Sequence, residues 1–393
     1  MPLAIFALTI AAYAIGTTEF VIVGLLPTVA ADLDITLPLA GLIVSVYALG
    51  VTFGAPVLTA LTGRIERKPL LLGLMGLFIA GNTAAALSPS YEMLLVARVL
   101  SAFAHGVFFS VGSTIAADLV PENRRASAIA MMFMGLTVAI VTGVPIGTHI
   151  GQIFGWRTTF WAVAGLGVIA FAGIAALLPK TLPRAAPAAL LDQLRVLGSG
   201  RLLIVFAMTA LGYGGTFVAF TYLAPILQEI TGFSAESVSL ILVLYGLAIA
   251  VGNVAGGRIA NTNPVKALVG LFVLQALVLF AFSFTATSPV PTLVTLAALG
   301  FLSFANVPGL QLYVVQLAKE HRPGAVDVAS ALNIAAFNLG IALGAWLGGA
   351  VVDSALGLGA TPWVGAILVS HALLLTVWSG ALDRRSTAAL QAA

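Results

Sequence analysis

Apolar runs of about 20 residues recur from one end of this 393-residue chain to the other, and each is long enough to cross a bilayer as a helix. Only 8% of the residues are charged and 60% are hydrophobic, whereas a soluble domain carries roughly 25% charge. The bilayer is therefore the solvent for which this chain is built. Its first run, Leu3 to Val29, is too long for a signal peptide and lacks a basic leading segment, so it reads as a retained span. There is no cysteine, which excludes a disulfide framework, a thiol nucleophile and a cysteine metal site.

Polar and Pro/Gly breaks divide the chain into twelve spans, starting near Leu3, Pro38, Pro69, Glu92, Ala126, Thr158, Arg201, Glu236, Pro264, Val290, Asp327 and Trp363. Numbering the gaps alternately places 15 of the 17 Lys and Arg residues on one side. Arg157 alone lies at the opposite surface, and Arg98 lies within a span. The positive-inside rule then puts both termini in the cytoplasm of a multi-pass membrane protein. The basic balance thus reflects topology, and a nucleic-acid partner loses its support.

A shift of about 200 residues brings Gly16 and Pro27 onto Gly214 and Pro225, and Tyr47 onto Tyr245. It also superposes two ladders of small residues at every fourth position: Gly135, Ala139, Gly143 and Gly147 in span 5, and Ala336, Gly340, Gly344 and Gly348 in span 11. That spacing puts each ladder on one helix face, where small residues let backbones approach closely in lipid. Spans 5 and 11 are expected to pack tightly against neighbours. The chain reads as an all-α protein of two six-helix bundles, 1–179 and 201–393. The Pro-rich, basic stretch 180–200 joins them as a cytoplasmic linker.

Several motifs resemble those of the major facilitator superfamily, and within it the twelve-helix drug:proton antiporters. Gly63-Arg64-Ile65-Glu66-Arg67-Lys68, between spans 2 and 3, is similar to the superfamily's loop signature, with Thr59, Gly63 and Glu66 where Gly, Asp and Gly are usual. Arg98 to Gly106 resembles the motif associated with proton coupling. Gly143-Val144-Pro145-Ile146-Gly147 is a variant of the antiporter motif and favours efflux. Thr17-Thr18-Glu19-Phe20, the Ala104-His105 pair and Gly151 to Arg157 are similar to the sugar-efflux and chloramphenicol-efflux branch. The resemblance implies two bundles related by a pseudo-two-fold axis along the membrane normal. It further implies gating or packing roles for Arg64, Arg67, Gly143, Pro145, Gly147, Gly340, Gly344 and Gly348.

An ionisable side chain within a span is costly unless it is paired or hydrated, which makes Glu19 a functional candidate. It is the only acid in the middle of any span. Desolvation favours its neutral form and a nearby Arg98 its charged form, a balance that an exporter can use to take up and release a proton. The alternative is a buried Glu19–Arg98 ion pair that only ties span 1 to span 4. His105, seven residues beyond Arg98, falls on nearly the same helix face and can relay the proton or contact substrate. The major facilitator fold places its cavity among spans 1, 4, 7 and 10, with contributions from 2, 5, 8 and 11. That points to Tyr47, Met134, Tyr213, Phe217, Asn306, Asn333 and Asn338 as contacts for an amphipathic neutral solute.

No phosphate-binding loop of an ATPase, no zinc-protease pair and no nucleophile elbow occurs, so an ion gradient is the expected energy source and no cofactor is expected. The expectation is a monomeric, non-enzymatic proton:solute antiporter. Its rivals are uptake or facilitated diffusion on the same fold, a polytopic membrane enzyme, and a non-transporting sensor. An enzyme would cluster acids, histidines or metal ligands near one interface, and no such cluster is seen.

Overall fold

Without water in the hydrocarbon core to satisfy backbone N–H and C=O groups, each apolar run must close its own hydrogen bonds. The computed structural model describes residues 2–62, 65–121, 125–179, 182, 196–260, 263–321 and 326–392, and helix is the only regular structure among them. The first six helices are α1 (Leu3–Asp32), α2 (Leu37–Thr62), α3 (Arg67–Ala86), α4 (Tyr91–Asp118), α5 (Arg125–Val138, Ala139–Gly143 and Val144–Phe154) and α6 (Trp156–Leu177). Next come α7 (Gly200–Phe220, then Leu223–Pro225 and Ile226–Ile230), α8 (Ala235–Ala260) and α9 (Pro264–Thr285). The last are α10 (Pro289–His321), α11 (Val326–Asp353) and α12 (Thr361–Ala392). Twelve helices among the described residues are thus long and apolar enough to cross a membrane.

Two helices are interrupted, and prolines account for both. Pro145 has no N–H to give the carbonyl of Val141, and the turn before it widens into the π-helical segment Ala139–Gly143. Pro225 likewise cannot donate to Thr221; there α7 breaks into a turn at 221–222 and resumes through the π-helical turn Ile226–Ile230. Pro27, at the repeat-related position, remains inside the unbroken α1. A single residue, Gly155, separates α5 from α6; its φ of 86° is a conformation that side chains rarely adopt. Asn263 starts α9 by accepting from the Lys266 N–H, with Pro264 in the first turn, where its missing N–H costs nothing.

The chain packs as two units, one of Met1–Ala188 with Tyr222–Gly246, the other of Ala189–Thr221 with Leu247–Ala393. In the first, α1 lies against α2, α5 and α6, α4 lies against α2 and α3, and α3 also meets α6. The start of α8 belongs here as well: Gln152 at the end of α5 donates to the Ala235 carbonyl (2.7 Å) and accepts from the Ser239 hydroxyl (3.0 Å). In the second unit, α7 contacts both α11 and α12, α9 contacts α10 and α12, and α10 meets α11.

The small-residue ladders lie at the tightest of these contacts. A Cβ added at Gly135 would stand 2.1 Å from the Thr9 carbonyl oxygen, and one at Gly143 2.2 Å from the Thr17 hydroxyl, so α5 lies directly on α1. In the other unit, a Cβ at Gly340 would meet the Ala210 carbonyl at 2.5 Å and one at Gly344 the Gly214 carbonyl at 2.2 Å. Lipid supplies little drive for helix association, so this backbone-to-backbone approach is what gains dispersion energy.

Candidate functional site

The first unit buries a polar cluster among α1, α2, α3 and α4. Glu19, Arg98 and His105 are all buried, with Arg98 only 1% exposed. The Arg98 guanidinium stacks on the ring of Tyr47, its Cζ 4.0 Å from the centroid. Through Nη1 it donates to the carbonyl (2.7 Å) and hydroxyl (3.1 Å) oxygens of Thr18. The Thr18 hydroxyl donates to Oδ1 of Asn82 (2.6 Å), and the Asn82 amide donates to the Phe78 carbonyl (2.8 Å). Arg98 keeps Nε and Nη2 buried without a hydrogen-bond partner.

Glu19 projects from the same turn of α1 as Thr18. Its nearest basic atom is Nδ1 of His105, 4.0 Å from Oε2. That nitrogen is engaged by the Tyr47 hydroxyl at 3.1 Å, and the imidazole packs against Phe109. Among the described residues the carboxyl of Glu19 receives no hydrogen bond, and no direct Glu19–Arg98 ion pair forms. The arrangement is a carboxyl group, an imidazole and a guanidinium side by side in a membrane span, held mostly through neutral groups. Proton uptake and release at such a carboxyl group is chemically open, because no fixed contact locks it in one state.

The second unit has a counterpart built without charge. Gln275 of α9 donates to the Gly212 carbonyl (3.1 Å) and the Thr216 hydroxyl (2.6 Å) of α7, and accepts from the Asn306 amide of α10 (2.8 Å). Thr216 and Thr18 are related by the sequence repeat, and Phe217 stands where Glu19 stands in the first half. Tyr213 packs within an aromatic group of Phe217, Phe304 and Phe337, with ring centroids 5.0–5.5 Å apart. Asn333 accepts from Thr209 (2.7 Å) and donates to Gln311 (2.9 Å). Asn338 donates to the Ile334 carbonyl (3.1 Å), and its Oδ1, like that of Asn306, is buried without a partner.

The remaining sequence candidates lie elsewhere. Met134 is 49% exposed, and with Thr9, Ile10, Tyr13 and Val138 it borders a hollow between α1 and α5. Arg67 pairs with Asp118 at 2.5 Å, tying α3 to α4, while Arg64 lies outside the described residues. Pro145 and Gly348 are buried, and a Cβ at Gly147 would come within 2.6 Å of Val21. Asn82, Thr18, Gln275 and Thr216 carry no ionisable group and so do not stand out among the polar residues of the spans. The available signal was an amide deep in an apolar run, which must find a partner there. Among the described residues no three His, Cys, Asp or Glu side chains gather where they could hold a metal ion.

Residues 8–326 match the family model of the Major Facilitator Superfamily. An uncharacterized MFS-type transporter of Bacillus subtilis, YtbD, is 57% identical over 382 residues, covering 97% of this chain and 96% of that protein. A chloramphenicol resistance protein of Streptomyces lividans is 34% identical, with 95% of each chain covered. Among solved structures, a bacterial homolog of the human lysosomal transporter Spinster, in an inward-facing and unoccupied conformation, superposes with a TM-score of 0.72. The two share 16% identity, and the match covers 96% of this chain and 95% of the other.

Proposed function

The chain belongs to the Major Facilitator Superfamily, and on that premise we propose that it is a proton-coupled antiporter exporting a small neutral or amphipathic solute, such as a sugar or a drug, by alternating access. Membership makes it a multi-pass membrane transporter. The observation that carries the coupling is Glu19, a buried carboxyl group with His105 Nδ1 at 4.0 Å and no hydrogen bond from the described residues. A carboxylate kept for structure alone would be met by paired donors, because a buried unpaired charge is costly. In our reading Glu19 takes a proton from the outside as solute leaves and gives it up to the cytoplasm, with Arg98 and His105 adjusting that exchange.

Export is favoured over uptake by the antiporter-type run Gly143-Val144-Pro145-Ile146-Gly147, and by likeness to a relative that bears the name of a chloramphenicol resistance protein. Tyr213, Phe217, Met134, Asn306, Asn333 and Asn338 are the proposed solute contacts, aromatic and amide groups suited to a neutral molecule, while Tyr47, named with them from the sequence, is engaged by His105. We assign 1–179 and 201–393 as the moving bundles, 180–200 as their linker, and Arg64 and Arg67 to gating. The protein acts in this reading as a monomer in the bacterial inner membrane, with cytoplasmic termini and the proton gradient as its energy source. The test is counterflow of a panel of sugars and antibiotics, chloramphenicol included, in proteoliposomes with and without an imposed pH gradient. Export stimulated by the gradient supports the proposal; gradient-independent equilibration of every compound refutes the coupling.

A further inference from the structure

Tyr47 is 2% exposed, and among the described residues its hydroxyl has one hydrogen-bond partner, Nδ1 of His105 at 3.1 Å. A buried phenol has one proton to donate, and leaving it undonated costs the full desolvation of that group. A phenol that donates here makes Nδ1 the acceptor, and a neutral ring then carries its own proton on Nε2. The same Nδ1 is the imidazole atom that stands 4.0 Å from Oε2 of Glu19. Nδ1 thus has the Tyr47 hydroxyl in hydrogen-bond range and a carboxyl oxygen 4.0 Å away, and its single lone pair can accept a proton from only one of them at a time. The ring of Tyr47 also stacks with the Arg98 guanidinium, a contact that helps to hold the phenol beside the imidazole.

We propose that Tyr47 is a positioning residue that holds His105 in its Nε2–H tautomer and keeps Nδ1 closed to the proton of Glu19. The step it controls is a simple transfer: the Tyr47 O–H···Nδ1 bond breaks, the proton moves from the Glu19 carboxyl to Nδ1, and an imidazolium faces a carboxylate. The titratable or charged groups at this ring are Glu19 from α1, Tyr47 from α2 and Arg98 from α4 itself; Phe109 adds only an aromatic face. The proposal rests on the coupling role given to Glu19, but its first test does not use transport.

That test is nitrogen NMR of the full-length protein in detergent, with 15N-labelled histidine. The chain has four histidines, and the His105→Gln variant identifies the signals of His105. The expected wild-type result is a neutral ring protonated at Nε2 with Nδ1 accepting a hydrogen bond. Tyr47→Phe, which keeps the ring over Arg98, is expected to shift Nδ1 toward its unbonded position while the signals of His149, His321 and His371 stay in place. A wild-type ring protonated at Nδ1, or His105 signals unmoved in Tyr47→Phe, overturns the assignment, whatever the protein transports. A second arm reads the pH profile of gradient-driven chloramphenicol export. Tyr47→Phe, which opens Nδ1, should alter it only while His105 is present, so the double variant should match His105→Gln alone. Independent, multiplying effects of the two variants refute positioning and favour a direct solute contact by Tyr47.

Discussion

The guanidinium of Arg98 binds the main chain and hydroxyl of Thr18, at 2.7 and 3.1 Å, and not the carboxyl group of the adjacent Glu19. The cation is thereby fixed by neutral oxygens that do not change with protonation. In the proposed coupling scheme this anchor would keep the cation in the span while the protonation of Glu19 changes.

Removing the hydroxyl of Thr18 tests that arrangement. Thr18→Val keeps the side-chain volume but strips one acceptor from Arg98 and leaves Oδ1 of Asn82 without its donor. A buried polar group left unpaired costs about 1–3 kcal/mol. A lowered thermal unfolding midpoint in detergent is expected, with Thr18→Ser restoring most of the loss.

Glu19→Gln removes the exchangeable proton at nearly constant shape. Export driven by an imposed pH gradient is expected to fall to the level seen without a gradient, and to lose its dependence on pH. Counterflow, which needs no net proton movement, should persist. Unchanged gradient-driven export would take Glu19 out of the mechanism.

Much of this was legible in the sequence because lipid imposes simple rules. Among the described residues all twelve helices begin within two residues of the positions read from polar and Pro/Gly breaks, from Leu3 to Thr361. What the pattern did not carry was local geometry and pairing. Pro27 and Pro225 occupy equivalent places in the repeat, yet only the second lies at an interruption of its helix, so a proline in the pattern does not by itself say where a span breaks. Asn82 and Gln275 are single amides in apolar runs, and their partners lie 64 and 59 residues away, at Thr18 and Thr216. Distances of that kind along the chain are invisible to a local reading.

The glycine ladders give a prediction with its own control. Gly344→Val would drive a branched side chain into the Gly214 carbonyl, where even a single Cβ would sit at 2.2 Å against backbone that cannot rotate away. Overpacking costs typically ~1–3 kcal/mol, and more where backbone must shift. A Cβ placed on Gly76, in α3, would have nothing within 4 Å, so Gly76→Ala should be neutral or gain up to ~1 kcal/mol from helix propensity. Comparing thermal midpoints of the two variants, along with the fraction recovered as monodisperse protein, separates close approach from a general intolerance of change.

Two arginines at the helix ends should differ in what they contribute, for reasons of burial. Arg67 is 8% exposed and its partner Asp118 31%, so truncating Arg67 leaves a partly buried carboxylate behind. Removing one partner of a fully buried pair costs about 3–5 kcal/mol, and the exposure of Asp118 brings the expected loss below that range. Arg157 and Asp32 are 35% and 44% exposed, where solvent screening leaves a pair worth roughly 0–1 kcal/mol. Arg157 adds two hydrogen bonds to the Ser88 carbonyl, and Trp156 donates its own to Asp32 at 3.0 Å, so the junction of α1, α3 and α6 does not depend on charge alone. Arg67→Ala is therefore expected to lower the unfolding midpoint more than Arg157→Ala, and Asp32→Asn to lower it least. Raising the salt concentration should weaken the Arg157–Asp32 contribution while barely altering that of Arg67. The opposite ranking would mean that the clasp at Arg157, and not the partly buried pair at Arg67, holds this unit together.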